Sequence, residues 1–230
     1  MIGVRGAAVL VSHGLTALVL LTRPCLAAAQ PYAGSNGPHR GSVEVGGGVI
    51  RIGTYDAGSA QALLTTAGGA APLTLFVVDG DVPAVIGAAV QAGIYLGRRV
   101  SIETSVHLTR PTLQSRQSSD FESASEVVAE TTTSSYLVGA SLLYHFGEGR
   151  LVPFVSGGAG YLRQLSEGNA EVIAGTEVHV GGGMKYWMGS GARRLALRLD
   201  AQASARDKLV AFEQKRRVLS SLGAGVTLRF

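Results

Sequence analysis

Residues 218–230 read Val-Leu-Ser-Ser-Leu-Gly-Ala-Gly-Val-Thr-Leu-Arg-Phe. Taking every second residue separates two rows. Val218, Ser220, Leu222, Ala224, Val226, Leu228 and Phe230 form a nearly apolar row. Arg217, Ser221, Gly223, Gly225, Thr227 and Arg229 form a polar one, broken only by Leu219. A period of two places the rows on opposite faces of a strand. Phe230 has no polar tail after it, and a terminal residue frays unless something ties it down. What covers the apolar face therefore decides the fold.

Composition narrows the answer. Of 230 residues, 46% are hydrophobic, only 16% are charged, and 32 are glycine. Globular proteins carry about 25% charged residues and about 7% glycine, so this chain is short of charge and rich in glycine. A helical membrane protein needs apolar runs of about 20 residues, and the only candidate lies at the extreme N-terminus. There Arg5, an apolar stretch from Ala7 to Leu21 and the small residues Ala27-Ala28-Ala29 read as a cleaved secretory signal over 1–29. Cleavage would discard Cys25, the only cysteine, leaving no thiol or disulfide chemistry. Losing Arg5 and Arg23 lowers the formal charge from +4 to +2, and no basic run interleaved with aromatics predicts a nucleic-acid partner. A polar, Gly/Pro-rich leader spans 30–41.

From Ser42 to Phe230 alternating segments recur. Val100, Ile102, Thr104, Val106 and Leu108 alternate with Ser101, Glu103, Ser105, His107 and Thr109. Tyr136, Val138, Ala140, Leu142, Tyr144 and Phe146 alternate with Ser135, Gly139, Ser141 and His145. Similar alternation marks 177–188 and 194–206, with glycine-diluted versions near 43–52 and 84–96. Near 152–163 the face is ambiguous, because Phe154 argues for one register and Val155 and Tyr161 for the other. Eight strands result. Their connections alternate in length: Gly97-Arg98-Arg99, Gly147 to Arg150 and Gly189 to Ala192 are tight, whereas 54–82, 111–133, 164–175 and 206–216 are long. Short turns at one end and long loops at the other are the pattern of a transmembrane barrel. Tyr144, Phe146, Tyr186 and Phe230 all fall on the apolar face at the short-turn end, where barrels carry an aromatic girdle. The expected fold is all-β: an eight-stranded antiparallel up-and-down transmembrane β-barrel over 42–230, whose greasy face touches lipid. Leu73 to Val78 is apolar enough to add a strand, outside the membrane or within it.

With those residues in view, the sequence resembles the small outer-membrane β-barrel proteins, the OmpA-like and OmpX-like eight-stranded barrels. The resemblance covers about Ser42 to Phe230. It is most specific at Gly225, Leu228 and Phe230, which match the terminal signature that this family presents to the barrel-assembly machinery. It implies export to the outer membrane of a Gram-negative-type bacterium, outer-membrane lipid as surroundings and the assembly machinery as a transient partner. It names no ligand or reaction, since a fold does not define a function.

Motifs with possible chemistry have simpler readings. Gly46-Gly47-Gly48 and Gly181-Gly182-Gly183 lead into no helix and no Gly-Lys-Ser/Thr run, which excludes a P-loop. Asp79-Gly80-Asp81 lacks the further oxygen ligands of a calcium loop and reads as a turn. Ser115 to Glu130 reads as a solvated hairpin tip. His107, His145 and His179 point inward at different heights, which gives no metal site, and no cofactor is expected. The inward charges are more informative. Glu44, Glu103, Lys185 and Arg198 fall at similar height above the short-turn end, and buried charges need partners. Glu103 and Arg198 are the expected central pair, flanked by Glu44 and Lys185, with Gln91, Trp187 and Arg229 also inward. An eight-stranded barrel is only wide enough for side chains to fill, so the lumen is expected to be plugged. The expected role is structural or surface-interacting, with an extracellular ligand or protein meeting loops 54–82 and 111–133. A passive, porin-like pore is the alternative, and a lipid-modifying enzyme a more distant one; no catalytic residue is assigned.

Overall fold

The computed structural model describes residues 37–64, 73–118, 127–166, 172–188, 195–209, 211 and 215–230; the signal reading, residues 30–36 of the leader and the 189–192 turn lie outside them. Eleven strands follow in order: β1 Val43–Ile52, β2 Tyr55–Leu64, β3 Leu73–Val82, β4 Val85–Tyr95, β5 Val100–Thr109, β6 Thr112–Ser118, β7 Val127–His145, β8 Leu151–Ser166, β9 Val172–Met188, β10 Leu195–Arg206 and β11 Arg217–Arg229. Eight of them close into an antiparallel barrel in the order β1-β4-β5-β7-β8-β9-β10-β11. The last strand pairs with the first from Glu44↔Arg229 to Ile52↔Ser221. Closure leaves no open edge, which a sheet surrounded by hydrocarbon requires.

Alternation governs every wall. On β7, Thr133, Ser135, Leu137, Leu143 and His145 are buried, while Tyr136, Val138, Leu142 and Tyr144 face out. Large apolar residues stand outward and bare, among them Val218 (76% exposed), Ile86 (70%) and Val180 (64%). Soluble proteins rarely expose contiguous apolar area beyond a few hundred Å², so this surface is built for lipid. Tyr144, Phe146, Tyr186 and Phe230 ring the short-turn end, and Tyr144 and Phe146 pack edge to face at 5.1 Å. Tyr136 and Tyr161 lie outward toward the other end. Eight residues separate Tyr136 from Tyr144 along β7, roughly 26 Å at the usual rise per residue. With strand tilt that matches a barrel's apolar band.

The ambiguous strand resolves into β8. Val155 and Tyr161 face lipid, and Phe154 turns inward at 2% exposure. Two of the short turns are closed by Leu96 N–H to Val100 O (2.9 Å) and Phe146 N–H to Pro153 O (2.8 Å). Gly147 has φ +102°, a conformation side chains resist.

The segments expected as long loops are corrected here. Residues 54–82 contain β2 and β3, and 111–133 contain β6 and the start of β7. None of these adds to the eight that close the barrel. Instead β2 prolongs β1 beyond Gly53-Thr54, β3 leads into β4 across Pro83-Ala84, and β6 prolongs β5 beyond Arg110-Pro111. Proline, which supplies no N–H to a ladder, marks two of these three breaks between wall and projection. Pairing continues past them: Thr109↔Ser135 on β5 and β7 is followed by Thr112↔Thr132 on β6 and β7. The result is a projecting sheet ordered β2-β3-β6-β7, rising from half of the wall. Asp79-Gly80-Asp81, expected as a turn, lies within β3. Gly80 pairs with Gly58 beside a bulge in β2 and with Ser115 of β6. Ser115 to Ser118 and Val127 to Glu130, expected in a hairpin tip, are strand as well.

Candidate functional site

Inward side chains are arranged in layers along the lumen. Nearest the short-turn end, Val152, Trp187 and Ala196 form a buried apolar floor. Above it Glu44 gathers donors: Lys185 Nζ donates to Oε2, while Arg229 Nε (3.0 Å) and Nη2 (2.9 Å) and Tyr95 OH (3.0 Å) donate to Oε1. Arg198 grips Glu103 with two parallel bonds, Nη1 to Oε2 at 2.6 Å and Nη2 to Oε1 at 3.0 Å. Its Nε also donates to Asp200 Oδ1 at 3.3 Å. Glu44, Glu103, Lys185 and Arg198 are thus brought together in one network, all nearly inaccessible. Glu44, Glu103 and Asp200 balance Lys185, Arg198 and Arg229.

Strand register explains why the acids must cross the lumen. Lys185 and Arg198 stand directly opposite one another on β9 and β10, and like charges so placed repel. Relief comes from the far wall, Glu44 on β1 and Glu103 on β5. Sequence reasoning did not include Tyr95 or Phe154 in this network. The Phe154 ring lies 4.9 Å from the Arg198 guanidinium carbon and 5.6 Å from Lys185 Nζ, and Arg229 sits 3.7 Å over the ring of Trp187. These are cation–π distances, which is why an aromatic side chain is compatible with a charged interior.

Eight residues further along β9 and β10 a second layer repeats the idea. Arg206 Nε donates to Glu177 Oε2, and the two residues are direct cross-strand partners. Glu177 Oε1 lies 3.2 Å from Nδ1 of His179, whose Nε2 is 2.8 Å from Ser141 Oγ. Between the layers a cavity of about 30 Å³ is bordered by Gln91, Ser105, His107, Ser141 and Gln202. The carboxylate–imidazole–hydroxyl order is the one that activates nucleophiles, yet a space of this size accommodates only water. His145 lies apart near the floor, 3.0 Å from Ser101 Oγ through Nε2 and stacked on Tyr95. Among the described residues no cluster of His, Cys, Asp and Glu is arranged to hold a metal.

Above the second layer the lumen turns aliphatic. Ile52, Leu137, Leu162, Leu209 and Leu219 form a buried cluster, with Tyr55 and Val85 packed against it. The signal for this cap was Leu219, the one apolar break in the polar row of β11.

A closed eight-stranded antiparallel barrel, apolar outside and filled with charge inside, is the fold of the small outer-membrane barrel proteins. Among solved structures, Neisserial surface protein A (NspA) matches with a TM-score of 0.54 at 15% identity, covering 83% of this chain and 100% of that one. The N-terminal barrel domain of Pseudomonas aeruginosa OprF (TM-score 0.43, 15% identity, 84% and 100% covered) and Ail of Yersinia pestis in complex with the heparin analogue sucrose octasulfate (0.47, 12%, 83% and 99%) also match. At these identities the likeness is one of fold. No protein family matches the sequence, and no curated protein matches it.

Proposed function

We propose that this chain is an integral outer-membrane protein that acts at the surface through its projecting sheet, with a closed, non-catalytic lumen. The observation that carries the reading is β2. It forms the outer edge of the β2-β3-β6-β7 sheet, and from Ala57 to Leu64 it bears no charge. Edge strands with no charge or proline template pairing with another extended chain. Leu63 and Leu64, both more than half exposed, offer apolar anchors beside it. Export by a cleaved signal and insertion by the barrel-assembly machinery, read at Gly225, Leu228 and Phe230, complete the proposal.

The test has two arms. Bacteria displaying the chain should adhere to host-cell or matrix surfaces, and shortening the β2–β3 hairpin should abolish adhesion while leaving heat-modifiable gel migration intact. Planar-bilayer recording of the purified barrel should show no steady conductance. A stable, sizeable current would overturn the plug and promote the pore, and adhesion unchanged by the shortened hairpin would remove β2 as the contact.

A further inference from the structure

The lipid-facing wall is not evenly covered. Across β9, β10, β11, β1 and β4 one ladder row sets Gly182, Ala201, Leu222, Arg51 and Ile86 side by side. The next row toward the short turns begins with Met184 and includes Ala224. Because Gly182, Ala201 and Ala224 are small, a groove of about 520 Å³ opens between their larger neighbours. That is within the range of pockets that hold ligands.

Arg51 lines the same groove, exposed and pointing outward, one residue short of the end of β1. Among the described residues no carboxylate pairs with it. A guanidinium on a lipid-facing surface is costly unless it meets water or an anion, and its fork suits phosphate. The trough is apolar and its rim end is cationic, which are the two halves of an anionic lipid. A second barrel fits less well. Below the projecting sheet, the outward residues of the described barrel wall include no Asp or Glu, so another copy's wall would bring Arg51 no carboxylate.

We propose that this groove binds a phosphate-bearing membrane lipid, its acyl chain along Gly182, Ala201 and Ala224 and its phosphate on Arg51. The proposal rests on the transmembrane barrel but not on the surface role, so the two fail separately. The test is native mass spectrometry of the full chain from micelles holding equal amounts of phosphatidylglycerol and phosphatidylcholine, with folding followed by heat-modifiable migration. The expected result is one retained phosphatidylglycerol, preferred about fivefold, which corresponds to the roughly 1 kcal/mol a basic residue contributes beside an anionic surface. Arg51→Gln should erase the preference and Arg51→Lys should keep part of it. Ala201→Leu with Ala224→Leu, both compatible with lipid exposure, should reduce retention of either lipid. Arg163→Gln, an outward arginine on β8 away from the groove, should change nothing. Equal retention by the native chain would overturn the proposal. So would an unaffected Arg51→Gln, a loss as large with Arg163→Gln, or a dimer abolished by the leucine pair.

Discussion

The two ends of the lumen are lined by opposite chemistry. Toward the short turns, Glu44, Glu103, Lys185, Arg198 and Arg229 form a nearly inaccessible charge network braced by Tyr95, Phe154 and Trp187. Toward the projecting sheet, five aliphatic residues make an oily cap. The charged end is directional and depends on every partner, because losing one leaves a buried charge uncompensated. The aliphatic end is non-directional, and a lost side chain there removes contacts without creating a new liability. The charged end therefore fixes which walls face each other, while the cap only fills space between them.

Substitutions can break this contrast. Glu44→Ala should have the largest effect, about 3–5 kcal/mol, since it strands both Lys185 and Arg229. Urea unfolding in lipid vesicles would measure it, and a loss below that of a single cap leucine would refute the contrast. Glu103→Ala should cost about 3 kcal/mol, less than Glu44→Ala because Arg198 retains Asp200. Leu219→Ala should cost about 2–3 kcal/mol, the lower part of the range for buried leucine truncation, with gel migration unchanged. Arg98→Ala, which removes a 3.6 Å pair with Glu148 on the exposed turns, should stay within about 0.5 kcal/mol.

The smallest effect is local and depends on pH. Asp207 follows β10 outside the barrel, and its carboxylate is held below the usual aspartate range by the backbone N–H of Thr176 and then by that residue's hydroxyl. A depressed carboxylate stabilises the folded loop above the ordinary aspartate value, and that support is lost as pH falls through the folded one. The protection of the Thr176 amide against hydrogen exchange, taken relative to the intrinsic rate at each pH, should fall on acidification, and Asp207→Asn should blunt the change. Protection independent of both would contradict the loop anchor.

The barrel was legible because lipid enforces a period of two on every wall it touches, and β5, β7, β10 and β11 carry that period with strong contrast. The charge network was legible for a related reason: a charged residue on the inward row of a narrow barrel has few places to go. Legibility failed where the physics loosens. Phe154 defied its neighbours because cations, not lipid, are its partners. The aliphatic cap hid in scattered leucines, Leu137, Leu162 and Leu219, one on each of three strands. The projecting strands were read as loops because water bathes both faces there and no alternation is imposed. Their glycines, prolines and Asp79-Gly80-Asp81 then resembled turns.

The unequal distribution of inward charge also bears on how the barrel comes together. Among the described inward positions, β1, β4, β5 and β7 contribute Glu44 and Glu103 and no lysine or arginine. Strands β9, β10 and β11 contribute Lys185, Arg198, Arg206, Arg217 and Arg229 against only Glu177 and Asp200. The early and late halves of the chain are therefore electrostatic complements, each unbalanced by itself. An open sheet made of the late strands would present surplus cations to the membrane interior. That surplus is reduced only when β1 arrives beside β11 and brings Glu44 against Arg229. Seam closure and most of the charge compensation are thus coupled.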